Sequence, residues 1–393
     1  MRNISDTIYR LSALRDAASF MNVSPAEGGR LAPLAQFGSN PGALRAHVYV
    51  PEDLAPGAAL VVVLHGCTQT AAGYDIGAGW SQMADRHGFV LLFPEQTRQN
   101  NPNACFNWFS PRDSQRDSGE ALSIRQMIAT VLATHPIDPA RVFVTGLSAG
   151  GAMTSVMLAT YPEVFAGGAI IAGLPYGCAA SVPQAFDRMR GHGLPSAEEA
   201  TARVRRASAH AGPWPTVSVW QGTADATVAA GNAAAIVGQW RALHGVDIEP
   251  DRQDRVDGQL RRAWCDDAGR EVIEEFTIAG LGHGTPLATA GEDGCGKAAA
   301  FMLEAGISST HHICRFWGLD RKDYGPAAAP QGELKARARE LEPVAAEAPP
   351  APRPAPPRFQ RIEMPQAASP KSARRAGVRK VIEDALRAAG LLR

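Results

Sequence analysis

Gly146-Leu147-Ser148-Ala149-Gly150 fits G-x-S-x-G, a pattern in which a serine sits on the turn from a strand into a helix. Chemistry accounts for the spacing. The turn is tight enough to need small residues on both sides of the serine, and its strained backbone holds the hydroxyl above the sheet. The context supports this reading, because RVFVT before the motif reads as a buried strand and GAMTSVMLATY after it as a helix. A serine hydroxyl alone is a poor nucleophile, so a histidine base and an orienting carboxylate must follow. Around such an elbow the chain order is serine, then acid, then histidine. VSVWQGTADATV ends a strand and enters a loop carrying Asp225, and FTIAGLGHGTP delivers His283 in a glycine-rich loop after the next strand. Rival acids are Asp247, Asp266 and Asp267, in polar, hairpin-like surroundings. Rival histidines are His244, His311 and His312, within or at the ends of helical patterns, where a solvated or hydrogen-bonded histidine is the plainer reading.

A tetrahedral intermediate also needs donors for its oxyanion. Backbone N–H groups supply them, one from the residue after the nucleophile and one from the loop after the third strand. Those positions are Ala149 and the His65-Gly66-Cys67 turn that ends LVVVLHG, with the Cys67 amide as the donor and its thiol read as a bystander. The other five cysteines, Cys105, Cys178, Cys265, Cys295 and Cys314, have no CxxC spacing. They are expected to be buried free thiols, with Cys105–Cys178 or Cys265–Cys295 as pairings only in an oxidising space. No residue pattern asks for a metal or a cofactor. Trp108, Phe109, Trp214 and Trp264 are candidates to line a pocket for an apolar acyl chain, against the commoner use of aromatic residues in a core.

Elements able to position these residues can be read from the apolar pattern. ALVVVLHG, FVLLFPE, RVFVTGLS, GGAIIAG and TVSVWQG are short, rich in valine and isoleucine, and nearly continuous in hydrophobicity, as in strands of a parallel sheet buried on both faces. SGEALSIRQMIATVLATH, opening on a Ser118 cap, reads as a helix between two of them. LAPLAQF and ALRAHVYV around GSNPG predict an antiparallel hairpin at the start, and QLRRAWCD with REVIEEFTIAG predicts another near the end. The expected fold class is α/β, a mostly parallel doubly wound sheet with helices on both faces and an antiparallel N-terminal hairpin.

The chain has 393 residues, 39 basic and 39 acidic side chains, and 29 prolines. Balanced charge excludes the global basicity of a dedicated nucleic-acid binder. The absence of any apolar run of about 18 residues predicts no transmembrane segment. MRNISDTIYRLSALRDAASF carries charges and no apolar core, so a secretory signal is not expected there and a cytoplasmic location is. The organisation reads as an N-terminal helical extension over 1–30 and one catalytic domain over 31–325, with 178–213 as a candidate cap. A Pro/Ala-rich disordered linker follows over 326–370, where 11 of 45 residues are proline, then a basic amphipathic helix over 371–393. The last segment carries seven basic side chains against Glu383 and Asp384, a net of +5, so the rest nets −5. Its plainer reading is a solubilising extension; the alternative is docking on a granule or a protein partner.

Several blocks resemble one family. LHGCTQTAAGYDIGAGWSQMADRHGFVLLFPEQ, NPNACFNWF, DPARVFVTGLSAGGAMTSVMLATYPEVFAGGAIIAGLPYG, WQGTADATV and GLGHGTP, spread over roughly residues 40 to 315, are similar to the polyhydroxybutyrate depolymerase family of esterases. These are α/β-hydrolases related to the feruloyl and acetylxylan esterases of carbohydrate esterase family 1. The resemblance implies Ser148 as nucleophile, Asp225 as acid, His283 as base and the Cys67 and Ala149 amides as the oxyanion hole. It implies a serine esterase acting on hydroxyalkanoate oligomers or related short-chain esters, with a feruloyl or acetyl ester on plant polysaccharide as the alternative. Secreted polymer-degrading members carry a signal peptide and usually a separate polymer-binding domain, and neither is recognisable in this sequence. A non-catalytic binding protein on the same scaffold is the rival from another class.

Overall fold

A computed structural model describes residues 29–320. Most of the N-terminal extension, the Pro/Ala-rich linker and the basic C-terminal helix of the sequence reading lie outside the described residues. The dominant feature is a ten-stranded sheet. In chain order its strands are β1 (Ala32–Pro33), β2 (Arg45–Tyr49), β3 (Ala58–Leu64), β4 (Val90–Glu95), β5 (Ile137–Leu147), β6 (Gly167–Ile171), β7 (Thr216–Gly222), β8 (Arg252–Val256), β9 (Gln259–Cys265) and β10 (Glu271–Ile278). They lie side by side as β1-β2-β4-β3-β5-β6-β7-β10-β9-β8. The six from β4 to β10 in that order pair in parallel. Antiparallel strands flank them on both sides, β1 and β2 at one edge and β9 and β8 at the other. Both hairpins expected from the sequence are present.

Successive residues of the central strands feed opposite faces, as the period of two requires. Leu60, Val62 and Leu64 of β3, Val142 and Val144 of β5 and Val217 and Val219 of β7 join one apolar cluster. Val61, Val63, Phe143, Ala169 and Trp220 join the other. Both clusters need a covering of helices, which explains why these strands are apolar throughout. The first is covered by α3 (Gly119–Thr134), α4 (Ala149–Thr160) and α7 (Gly231–His244), through residues such as Ile124, Met153 and Trp240. The second is covered by α1 (Ala71–Ala78), α2 (Trp80–His87) and α8 (Ser309–Phe316), through Tyr74, Met83 and Ile313. Each such side chain removed from water contributes roughly 1.5–3 kcal/mol.

The 178–213 segment forms α5 (Val182–Met189) and α6 (Ala197–Ala207). Ser196 and Glu199 close a reciprocal capping box at the start of α6. The helix is fastened to α7, where Thr201 donates to the Gln239 carbonyl at 3.0 Å and Gln239 Nε2 donates to the Ala200 carbonyl at 3.0 Å. Ser118 does precede α3, but its hydroxyl donates to the Arg112 carbonyl at 2.6 Å and makes no capping bond. A short parallel pair, β11 (Thr285–Leu287) and β12 (Met302–Glu304), follows the last sheet strand. No described helix is long and apolar enough to cross a membrane.

Candidate active site

Ser148 stands between β5 and α4 with φ 58° and ψ −116°, a left-handed backbone that costs a non-glycine residue about 1 kcal/mol or more. Packing fixes this conformation. The Ser148 N–H donates to the Ile171 carbonyl at 2.9 Å. A β-carbon on Gly150 would lie 2.2 Å from the Leu64 carbonyl oxygen, and one on Gly146 2.5 Å from the Gly150 backbone. Both glycines of the motif are thus required by close backbone approach. The helix that follows is buried along its whole length, so the elbow cannot relax outward.

Asp225 and His283 come from the loops after β7 and β10, which are neighbouring parallel strands. The loops are tied to each other directly. Thr223 N–H donates to the Ile278 carbonyl and Ala224 N–H to the Leu281 carbonyl, each at 3.0 Å. A β-carbon on Gly222 would sit 2.3 Å from the Leu281 oxygen. The result is a continuous chain of side chains. His283 Nδ1 lies 2.8 Å from Asp225 Oδ2, and His283 Nε2 lies 2.9 Å from Ser148 Oγ. Asp225 Oδ1 accepts the N–H groups of Thr227 and Val228, both at 2.8 Å, and Gln221 Nε2 donates to Oδ2 at 3.2 Å. Burial alone would raise the Asp225 carboxyl, but its hydrogen bond and charge interaction with His283 and the two backbone N–H groups outweigh burial and hold it below the usual carboxylate range. An ionised Asp225 accepts from Nδ1–H, which leaves Nε2 to accept from the Ser148 hydroxyl. That arrangement can take a proton from Ser148 and return it to a leaving group.

The loop after β3 supplies the remaining element. Gly66 N–H donates to Gln69 Oε1 at 2.8 Å and Thr68 N–H to the Asn103 carbonyl at 2.7 Å, whereas the Cys67 N–H between them has no partner among the described residues. Likewise the Ser148 N–H is occupied, and the Ala149 N–H, at the first position of α4, has no partner among the described residues. Helix N-termini leave such amides open by construction. Two backbone donors are therefore available to an oxyanion.

Other expectations from the sequence fare differently. The Cys67 thiol is not free: Cys67 and Cys105 form a disulfide, with Cα atoms 4.2 Å apart. The free-thiol reading is corrected for both residues, and neither pairing considered from the sequence occurs, since Cys178, Cys265, Cys295 and Cys314 are free. Spacing along the chain does not reveal such a pair, because Cys105 reaches Cys67 only once the loop after β4 folds back. Trp264 belongs to the core, with its Nε1 donating to the Ile248 carbonyl at 3.3 Å, which corrects its reading as a pocket wall. Trp214 packs edge-on against Trp240, 6.4 Å between centroids, and Trp108 is buried edge-on against Phe109 at 5.6 Å. A ring that does lie beside His283 is Phe301, edge-on at 6.1 Å and in a left-handed backbone of φ 63°. Rival histidines are engaged elsewhere, His244 with the Pro215 carbonyl and His312 with Asp257. Asp266 closes the β9–β10 turn by accepting the Ala268 and Arg270 N–H groups.

A second layer of polar residues escaped the sequence reading. His65 is buried, with Nδ1 2.7 Å from the Gly66 carbonyl and Nε2 accepting the Gln96 N–H at 3.1 Å. Burial pushes its pKa down, so it is a neutral spacer under the Cys67 loop. Beneath it, Glu120 is fully buried at the start of α3 and accepts from Gln96, Asn100 and Asn107. Burial pushes its carboxyl up to about 8 while these donors favour the ionised form. A glutamate directly after a helix start reads as ordinary dipole complementarity, which hid its role.

Comparison with known proteins supplies the family. The profile described as Esterase PHB depolymerase matches residues 45–261. Poly(3-hydroxyalkanoate) depolymerase C of Paucimonas lemoignei is 44% identical over 320 residues, covering 81% of this chain and 77% of that protein. The chain belongs to the PHB depolymerase esterase family. An acetylxylan esterase of Coprinopsis cinerea is 34% identical over 265 residues, 66% of this chain and 70% of that one. Among solved structures, an acetyl xylan esterase from Aspergillus awamori superposes with a TM-score of 0.62 at 24% identity, over 74% of this chain and all of that one. This likeness shows the α/β-hydrolase fold. As a member of the PHB depolymerase esterase family, the chain is a carboxylic ester hydrolase of the serine class.

Proposed function

We propose that Ser148, His283 and Asp225 hydrolyse an ester through an acyl-enzyme on Ser148. The observation that carries this reading is the unbroken hydrogen-bonded chain from Asp225 through His283 to Ser148, together with two backbone amides that have no partner among the described residues. Ser148 Oγ attacks the ester carbonyl as His283 Nε2 takes the hydroxyl proton, and Asp225 holds the ring in the required tautomer. The Cys67 and Ala149 N–H groups receive the oxyanion of the tetrahedral intermediate. As that intermediate collapses, His283 returns its proton to the departing alcohol. Water then attacks the acyl-enzyme with His283 again as base, releasing the acid and restoring the Ser148 hydroxyl.

The substrate class we assign is a poly(3-hydroxyalkanoate) or its oligomers. Support comes from the relative named for such a polymer, which matches at higher identity and over more of the chain than the acetylxylan esterase does. The Cys67–Cys105 disulfide under the proposed oxyanion amide favours work in an oxidising compartment over the cytoplasmic expectation. The deciding experiment compares purified protein on 3-hydroxybutyrate oligomers, acetylated xylan and a feruloylated oligosaccharide. The reading expects 3-hydroxybutyrate release to exceed acetate and ferulate release by at least tenfold at matched ester concentration. Faster acetate or ferulate release would reassign the substrate to plant polysaccharide esters.

A further inference from the structure

The Cys67 amide is held from two sides, and both holds end on one carboxylate. On the main-chain side, His65 Nδ1 engages the Gly66 carbonyl, and the Gln96 N–H engages His65 Nε2. The Gln96 side chain then donates to Glu120 Oε1 at 2.6 Å. On the side-chain side, Cys67 is bonded to Cys105, whose carbonyl accepts the same Gln96 Nε2 at 3.1 Å. Two residues further on, Asn107 donates its backbone N–H to Glu120 Oε2 at 2.8 Å and its side-chain Nδ2 to Oε1 at 2.6 Å. Asn100 Nδ2 adds a contact to Oε1 at 3.2 Å.

Glu120 is therefore a buried carboxyl group ringed by four N–H donors, with no basic side chain in a salt bridge to it among the described residues. Burying a carboxyl group is expensive in either protonation state, and an apolar side chain would fill the same volume without that cost. What two carboxyl oxygens supply is simultaneous acceptance of donors from three residues spread along one irregular loop, which has no strand or helix ladder of its own to fix it. We propose that Glu120 is a positioning residue for ester hydrolysis: it fixes the 96–107 loop, and through His65 and Cys105 it sets the Cys67 N–H where the oxyanion forms. The inference rests on the reading of that N–H as an oxyanion donor.

Glu120→Gln keeps one oxygen for the three side-chain donors. It turns an amide N–H toward the Asn107 backbone N–H, so two donors face each other and the loop must shift. Removing an oxyanion donor outright costs about 10²–10³ in turnover, and an ångström of misplacement can cost about 10². The expected outcome is a kcat on p-nitrophenyl butyrate lowered about 10- to 100-fold with KM within about threefold. The second readout is inhibition by a butyryl trifluoromethyl ketone, whose hemiketal oxyanion occupies the same position. Its Ki should rise by the same factor by which kcat/KM falls. Asn107→Ala, which removes one donor and keeps the carboxylate, should move both quantities in the same direction by less, and it carries the test if Glu120→Gln does not fold. The proposal is overturned if the folded variants keep kcat/KM within twofold of wild type and lose only thermal stability, or if kcat/KM falls with the ketone's Ki unchanged. If wild-type protein hydrolyses the ester and is not inhibited by the ketone, the oxyanion reading itself fails, and the proposal with it.

Discussion

Replacing Cys67 and Cys105 together by serine tests the staple under the proposed oxyanion amide without removing the amide itself, because the residue-67 N–H stays in the backbone. The bridge joins residues 38 apart in sequence. Chain-entropy arithmetic for a loop of that size gives a stabilisation of about 4 kcal/mol. With an unfolding entropy of about 2.1 cal/mol/K per residue over roughly 290 residues, that corresponds to a fall in Tm of about 6 °C. Activity should fall too, since the loop keeps the His65 and Asn103 contacts and loses its covalent tie. We expect kcat to drop about tenfold, less than the 10²–10³ seen when a donor is deleted. The assay pairs a thermal melt with p-nitrophenyl butyrate kinetics at a temperature where both proteins are folded. Thiol titration in denaturant controls for the redox state: four of the six cysteines should react before reduction and all six after. A double variant with Tm and kcat both equal to wild type would refute the claim that the bridge holds the loop.

Two further outcomes follow from the same contacts. Asp225→Asn, which leaves the volume unchanged and lets the His283 ring adopt the wrong tautomer, should lower kcat about 10⁴-fold with the circular dichroism spectrum intact. A loss under tenfold would remove Asp225 from the mechanism. Asp75, buried with Oδ1 accepting the Ser81 N–H at 2.7 Å, has its carboxyl pushed up by burial from the ordinary 3.8 to about 6. The folded protein then holds a proton that the unfolded chain has lost between about pH 4 and 6, so this group's contribution to stability falls as pH rises through that window, by up to about 3 kcal/mol. His244 and His312, pushed down by burial, pull the other way, so the quantity to follow is the Tm of wild type minus that of Asp75→Asn. It should drop by a few degrees from pH 4.5 to 7. A flat or rising difference would contradict the assignment.

The parallel strands were legible because a sheet covered on both faces must be apolar throughout, and Ala58–Leu64 and Thr216–Gly222 could be little else. β8 was not. Arg252-Gln253-Asp254-Arg255-Val256 is an exposed edge strand, whose charges guard an open ladder and erase the hydrophobic signal. Ser148, Asp225 and His283 could be nominated because an elbow constrains its neighbours locally and chain order limits the partners. The geometry that joins the last two, a mutual tie between the loops after β7 and β10, carries no local signature. The Cys67–Cys105 bond and the Glu120 cluster were illegible for the same reason, since both depend on the loop after β4 folding back onto the loop after β3 and the start of α3. Trp264 reads as a pocket wall because composition does not say which side of a layer a ring faces, whereas packing takes it into the core and brings Phe301 to His283.

The most direct measurement is peptide mass spectrometry of wild-type protein after reaction with a fluorophosphonate. Serine hydrolysis through the Asp225–His283–Ser148 chain predicts a single stoichiometric adduct on Ser148. Its formation should track the loss of p-nitrophenyl butyrate turnover and should be absent in His283→Ala. An adduct on another residue, or full turnover in protein whose Ser148 is completely labelled, would contradict it.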